Sequence, residues 1–291
     1  MNEITVNAPA KINLCLSVLG KRSDGYHEVE MLMQMVGLYD EVTVARTSRG
    51  VCVRCDDSSI PSGEANMAWK AAAAILKLSG SNTGLDIEIK KAIPVAAGLG
   101  GGSGDAAAVL AAANRLLQTG LSRERLAEVG ANLGMDVPFF FYGPTAMARG
   151  RGDIITALRP LPRFPVLLVN PGFETPTAWV YNNLNLRLTK KVDCNKIARL
   201  TVRNIAEGLH NDLETVTAAV HPVIGKIEEA LRAQGAAGVS MSGSGPTVFG
   251  IFETKNACRT AAENLSQEGW RLYPVESLTE SPIAEYLIEG S

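Results

Sequence analysis

No stretch of these 291 residues stays apolar for the roughly 20 positions that a membrane span requires, so no membrane partner is expected. A basic excess is missing as well. Lys and Arg number 28 against 30 Asp and Glu, a net charge of -2, and aromatics make up only 5%. Such a chain offers neither the broad positive field nor the aromatic strand surface of a nucleic-acid binder, and no nucleic-acid partner is expected. The five cysteines, Cys15, Cys52, Cys55, Cys194 and Cys258, are odd in number and scattered. The opening MNEITVNAPAK also lacks the basic and apolar regions of an export signal. Reduced thiols and a cytoplasmic location are therefore the expectation. Cys52 and Cys55 form a CxxC, but an offset of three on a strand turns the thiols to opposite faces, and no second CxxC or nearby histidine completes a zinc set.

What is present is ordinary globular composition, 46% hydrophobic and 20% charged, with length for one large or two medium domains. The distinctive stretch is Ile93 to Leu110, IPVAAGLGGGSGDAAAVL. Its glycines permit positive φ and close approach of a ligand to the backbone. The alanine-rich run after them predicts a helix opening at about Gly102 to Asp105, whose free N–H groups and dipole face the glycine loop. That combination predicts an anion site, with phosphate the natural occupant. It is not a Walker loop, since no lysine lies between Lys91 and the helix. Nor is it a dinucleotide fingerprint, because the sixth position from Gly98 is Ser103 and from Gly100 is Asp105. In the preceding strand Leu85, Ile87 and Ile89 alternate with Asp86, Glu88 and Lys90, which predicts a half-buried strand in an antiparallel or mixed sheet.

Along the chain, Ile4 to Leu19 reads as two strands around the corner Ala8-Pro9-Ala10-Lys11, with Lys11 opening the second and sharing a face with Asn13. Gly20 to His27 is a turn, Val42 to Ala45 and Val51 to Cys55 are strands, and Asn66 to Leu78 and Arg123 to Leu133 are helices, the last capped by Ser122. Taken alone, Lys11 reads as a solvated side chain and Asp136 as a cap on the turn before Pro138. The RGD within ARGRGD at Ala148 to Asp153 reads as a tight turn between strands, not an adhesion ligand. RPLPRF at Arg159 to Phe164 marks a boundary between residues 1–160 and 161–291. Beyond it the order strand, helices, strand, strand, helix, strand is a split βαβ, ferredoxin-like pattern, with a peripheral tail from Ser277.

Three stretches, APAKINL at Ala8 to Leu14, PVAAGLGGGSGDAA at Pro94 to Ala107 and GVSMSGSGPTVF at Gly238 to Phe249, together resemble the GHMP kinases, a family of small-molecule kinases. The DGYH turn at Asp24 to His27, the Asp136-Val-Pro-Phe segment and PGFETPTAWVY at Pro171 to Tyr181 are similar to the branch whose substrate carries a cytidine diphosphate group. The resemblance implies a two-domain α+β fold. Its N-terminal mixed β/α half would be like ribosomal protein S5 domain 2 and would bind ATP, its C-terminal half would be ferredoxin-like, and the cleft would lie between them. It implies ATP with Mg2+, no assigned metal ligand, and a monomer or weak homodimer.

The resemblance also makes Lys11 and Asp136 a catalytic pair. It assigns the polyphosphate to Pro94, Val95, Ala96, Ala97, Gly98, Leu99, Gly100, Gly101, Gly102, Ser103 and Gly104, and the nucleotide to Asn66. The small-molecule substrate falls to Asn13, Tyr26, His27, Thr177 and Tyr181, with the two tyrosine rings sandwiching the cytosine. The chain departs from the family at Gly104, commonly a second serine, and at Tyr181, often phenylalanine. Homoserine- or mevalonate-type kinases and a non-catalytic nucleotide-binding regulator are the rival readings.

Overall fold

The computed structural model describes residues 2–187, 189, 192, 194 and 202–287. Strand β1 (Glu3–Lys21) and strand β2 (His27–Thr47) form a long antiparallel pair. The expected corner at Ala8 to Lys11 is instead a shift of register between Pro9 and Ala10 within one continuous strand. Proline has no N–H for the ladder, and a bulge is where a strand tolerates it. Likewise the expected Val42 to Ala45 is only the last part of β2.

The first sheet is completed by β3 (Val51–Cys55), β4 (Gly84–Lys90), β5 (Thr145–Gly150), β6 (Ile154–Ala157) and β8 (His210–Asn211), in the order β3-β4-β2-β1-β8 with β5 and β6 branching from β2. Its β4 pairs parallel with β3 and antiparallel with β2, so the sheet is mixed, as the alternation of β4 predicts. The second sheet comprises β7 (Pro165–Asn170), β9 (Gly238–Met241), β10 (Val248–Ile251) and β11 (Arg271–Glu276) in the order β11-β7-β10-β9. Because β10 runs antiparallel to both β7 and β9, those two are parallel with a strand between them, the split βαβ arrangement.

Helix α1 (Met67–Ser79) and helix α2 (Gly101–Leu117) cover one face of the first sheet. Every residue of α2 from Gly104 to Asn114 is buried, which its run of alanines permits by letting neighbouring backbones approach closely. The other face of β1, with Ile12 and Leu14, packs on Phe164, Leu168 and Phe249 of the second half. Both faces of β1 are therefore covered, and it can hold polar side chains in a fixed, largely dry setting. Shorter helices α3 (Arg123–Ala131), α4 (Phe139–Tyr142), α5 (Thr177–Asn183) and α6 (Glu214–Val220) flank the cleft side, while α7 (Val223–Ala233) and α8 (Lys255–Asn264) back the second sheet.

Two further expectations need correction. Cys15 and Cys194 form a disulfide, while Cys52, Cys55 and Cys258 are free. The bridged residues are 179 positions apart, and only the fold brings their Cα atoms to 5.7 Å. The tail is not peripheral either. Ser277 and Ile283 are buried, the Ser277 N–H donates to Phe164 O at 2.9 Å, and Gln34 Nε2 donates to Leu278 O at 2.8 Å. Backbone and side-chain hydrogen bonds from both halves hold it down.

Candidate active site

The glycine loop between β4 and α2 is the floor of a cavity of about 890 Å³. Helix α2 opens on Gly100, at φ 71°, with no side chain capping it, so its first N–H groups are left for a ligand. Gly98 shows why this loop requires glycine: it has φ +76°, and a Cβ there would lie 2.0 Å from the Ser242 carbonyl oxygen. The loop is clasped at that point by the turn after β9, where Ser242 Oγ donates to Gly98 O at 2.9 Å. Pro94 to Gly98 and Gly100 to Ser103 line the cavity. Leu99 is buried, and its carbonyl accepts the Lys11 N–H at 2.9 Å. At Gly104 an added Cβ would stand 3.0 Å from Pro9 O and 3.5 Å from Phe140, so a serine there would be crowded.

Lys11 and Asp136 meet beside this loop. The Lys11 Nζ lies 3.4 Å from Asp136 Oδ2 and donates to Asn13 Oδ1 at 2.7 Å, with the lysine side chain 4% exposed and the aspartate 30%. The lysine stem is held against Gly100, where a Cβ would come within 3.0 Å of Lys11 Cγ. Asp136 is placed by the apolar residues on its C-terminal side. Val137 fills a notch at Gly130, where an added Cβ would meet Val137 Cγ1 at 2.7 Å, and Phe140 packs beneath Gly100 and Gly104. This run thus anchors the carboxylate to the helix that forms the anion site.

Asn66 caps α1, accepting the Ala68 N–H at 2.8 Å and donating to Pro61 O at 2.8 Å, and lines the same cavity. Thr177 and Tyr181, four residues apart on α5, share a helix face, and Thr177 Oγ1 lies 2.9 Å from Ser244 Oγ. Tyr181 packs against His27 with ring centroids 5.1 Å apart. Burial, followed by the Asp136 charge, raises the Tyr181 pKa and keeps its phenol neutral. Burial and then Lys21 lower the His27 pKa, so a neutral imidazole, both donor and acceptor, faces the cavity near pH 7. Tyr26 is 48% exposed, and Arg151 lies over its ring at 5.1 Å. The observed ring contact is therefore His27 with Tyr181, while one face of Tyr26 is already occupied by a guanidinium.

Three groups that line this cavity escape a reading of the sequence. Arg151 belongs to the RGD triplet, whose only sequence signal is a turn. Lys91 and Asp105 form a buried cluster with Asp40: Lys91 Nζ donates to Asp105 Oδ2 at 2.9 Å and to Asp40 Oδ2. Burial pushes the Asp105 carboxyl up to about 7, with Lys91 working against the rise and Asp40 adding to it. For Lys91 burial acts to lower the pKa, but Asp105 and Asp40 more than offset it and hold the ammonium raised.

Comparison with known proteins gives the family. Family models described as GHMP kinases N terminal domain and GHMP kinases C terminal match residues 66–144 and 196–271. A 4-diphosphocytidyl-2-C-methyl-D-erythritol kinase of Geobacter sp. (strain M21) is 49% identical over 93% of this chain and 97% of its own. Another of that name, from Syntrophotalea carbinolica, is 51% identical over 94% and 98%. A crystal structure of 4-(cytidine 5'-diphospho)-2C-methyl-D-erythritol kinase superposes with a TM-score of 0.84 at 34% identity, covering 94% of this chain and 99% of that one. Homoserine kinase from Cytophaga hutchinsonii, at TM-score 0.73 and 21% identity over 97% and 96%, shares the fold. Identity at this level over nearly full length places the chain among the GHMP kinases, in the family of 4-diphosphocytidyl-2-C-methyl-D-erythritol kinases.

Proposed function

We propose that the protein transfers the γ-phosphoryl group of ATP to the 2-hydroxyl of 4-diphosphocytidyl-2-C-methyl-D-erythritol, a step on the methylerythritol phosphate route to isoprenoids. The observation that carries this reading is the 3.4 Å approach of Lys11 to Asp136 in a cavity that also holds the open end of α2. Phosphoryl transfer has a loose transition state, so positioning and charge stabilisation do most of the work. The loop N–H groups and the Ser103 hydroxyl hold the polyphosphate. Asp136 accepts the proton of the substrate hydroxyl, while Lys11 orients the carboxylate and favours the charge developing on the attacking oxygen.

Residues 1–160 supply the ATP loop and residues 161–291 close the cleft with Thr177, Tyr181 and the Ser242 to Ser244 turn. Tyr26, His27 and Tyr181 line the side of the cavity suited to a cytosine ring, with the neutral imidazole toward the base edge. Mg2+ would supply neutralisation of phosphate charge. Among the described residues no group of three or more His, Cys, Asp or Glu is disposed to cage a metal. The ion would be held chiefly by the nucleotide's own phosphates, and no residue of this chain is assigned to it.

A coupled assay of ADP release tests the reading. The diphosphocytidyl sugar alcohol should support turnover, and homoserine and mevalonate should not. Turnover on homoserine alone would overturn it.

A further inference from the structure

Behind the phosphate loop lies a buried charge cluster for which the transfer chemistry has no use. Asp40 of β2 accepts the N–H groups of Ala92 at 2.7 Å and Ile93 at 2.9 Å on one oxygen and Lys91 Nζ on the other. The same ammonium donates to Asp105 on the second turn of α2. One cation thus ties the residue entering the glycine loop to the helix leaving it. A Cβ added at Gly101 would stand 3.3 Å from Lys91 Nζ, so the cluster sits directly behind the first residue of α2.

The two carboxylates are not equivalent. Both oxygens of Asp40 are engaged, whereas Asp105 Oδ1 is buried without a hydrogen-bond partner among the described residues. Leaving a buried carboxylate oxygen bare is costly, and a proton is the smallest remedy. The surrounding titratable and charged groups are Asp40 from β2, Cys55 and Asp56 at the end of β3, Lys91 after β4, and Lys11 of β1 beyond Gly100. Two carboxylates share the single ammonium of Lys91, so acidic groups are in excess at the place where a polyphosphate would bind.

We propose that Asp105 is a positioning residue that takes up a proton from solvent when the ATP polyphosphate enters the loop, so that the Asp40, Lys91 and Asp105 cluster becomes neutral behind α2. The proton rests on Asp105 Oδ1, no bond to the nucleotide is made or broken, and Lys91 still holds Asp105 Oδ2. The inference rests on the reading of the loop as the polyphosphate site. A carboxyl already lifted to about 7 by burial is poised for this uptake, because an incoming anion raises it further. ATP affinity then weakens as pH rises above about 7, by up to tenfold per pH unit where uptake is complete.

The test is calorimetric titration of the full chain with Mg2+ and the β,γ-imido analogue of ATP, in buffers of different ionisation enthalpy between pH 7 and 9. The wild-type protein and Asp105→Asn, which keeps an oxygen for Lys91 and cannot ionise, are compared. The wild type should take up more protons than the variant, and its dissociation constant should rise several-fold more over that range. Equal proton numbers and parallel pH profiles would overturn the proposal. Should the variant fail to fold, the wild type alone decides, since zero net uptake across the buffers is the same refutation. Failure of the wild type to bind the nucleotide at any pH would instead remove the loop reading beneath it.

Discussion

The Lys11 ammonium and the Asp136 carboxylate lie 3.4 Å apart although they are 125 positions apart in the chain, and the lysine stem and the run after Asp136 both pack against the N-terminal end of α2. If Asp136 accepts the substrate proton, Asp136→Asn should lower kcat by at least ~10²-fold, the lower bound of general-base assistance, with KM for ATP little changed. Lys11→Met keeps the stem against Gly100 and removes only the cation, so it should also lower kcat without unfolding the chain. Steady-state kinetics with circular dichroism checks both. Near-normal turnover by Asp136→Asn would remove that residue from the mechanism.

Gly98→Ala should damage nucleotide binding and stability together. The backbone there has φ +76°, and the new methyl would meet the Ser242 carbonyl at 2.0 Å, a rigid backbone neighbour. Holding a non-glycine residue in that conformation costs roughly 1–3 kcal/mol before the clash is counted. The expected result is a lower Tm in thermal denaturation and a raised KM for ATP. By contrast Gly172→Ala, also at positive φ but with nothing among the described residues within 4 Å of the added carbon, should cost only the conformational strain.

Tyr181 supplies a substrate-side test. Its ring packs on His27, and its phenol is kept neutral, so the aromatic face is the part available to a base. Tyr181→Phe should therefore retain activity. Tyr181→Ala should raise KM for the cytidine-bearing substrate by roughly 5- to 150-fold, the equivalent of ~1–3 kcal/mol of base stacking, with KM for ATP unaffected. A matched rise in both Michaelis constants would argue that the residue only supports the fold.

The parts of this molecule legible in its sequence are those with a local signal. The alternation of Leu85, Ile87 and Ile89, the glycines after them and the alanines of α2 each report a short-range constraint, and together they mark the strand, loop and helix of the anion site. Lys11 and Asp136 are ambiguous one at a time, because nothing near either residue in the chain indicates the other. Only the family resemblance pairs them, and the structure brings them together in one cavity. Where long-range packing decides, local reading fails: Pro9 suggests a corner because its tolerance inside a bulge depends on the partner strand, and the Cys15–Cys194 bridge is set by the docking of remote segments. In the sequence Lys91 has meaning only as a lysine on the wrong side of the glycines for a Walker loop. Its role in tying the loop ends together becomes visible once Asp40 and Asp105 are seen around it.

The same Asp105 carboxyl predicts an inverted dependence of stability on pH. An exposed aspartate in the unfolded chain titrates near 3.9, whereas burial places Asp105 at about 7 in the folded protein. Between those values the folded chain holds a proton that the unfolded chain has released. The unfolding free energy therefore falls as pH rises through the window and levels off above the folded pKa, opposite to the behaviour of a salt-bridged aspartate with a lowered pKa. Glu214, also lifted to about 7, by burial and then by Glu228, contributes in the same sense. Asp105→Asn removes one of these two titrations and leaves the other. The gain in Tm of the variant over the wild type should accordingly be larger at pH 8 than at pH 5, measured by thermal denaturation in buffers of matched ionic strength. A difference independent of pH would mean that Asp105 is ionised throughout the folded state, with Lys91 compensating it fully.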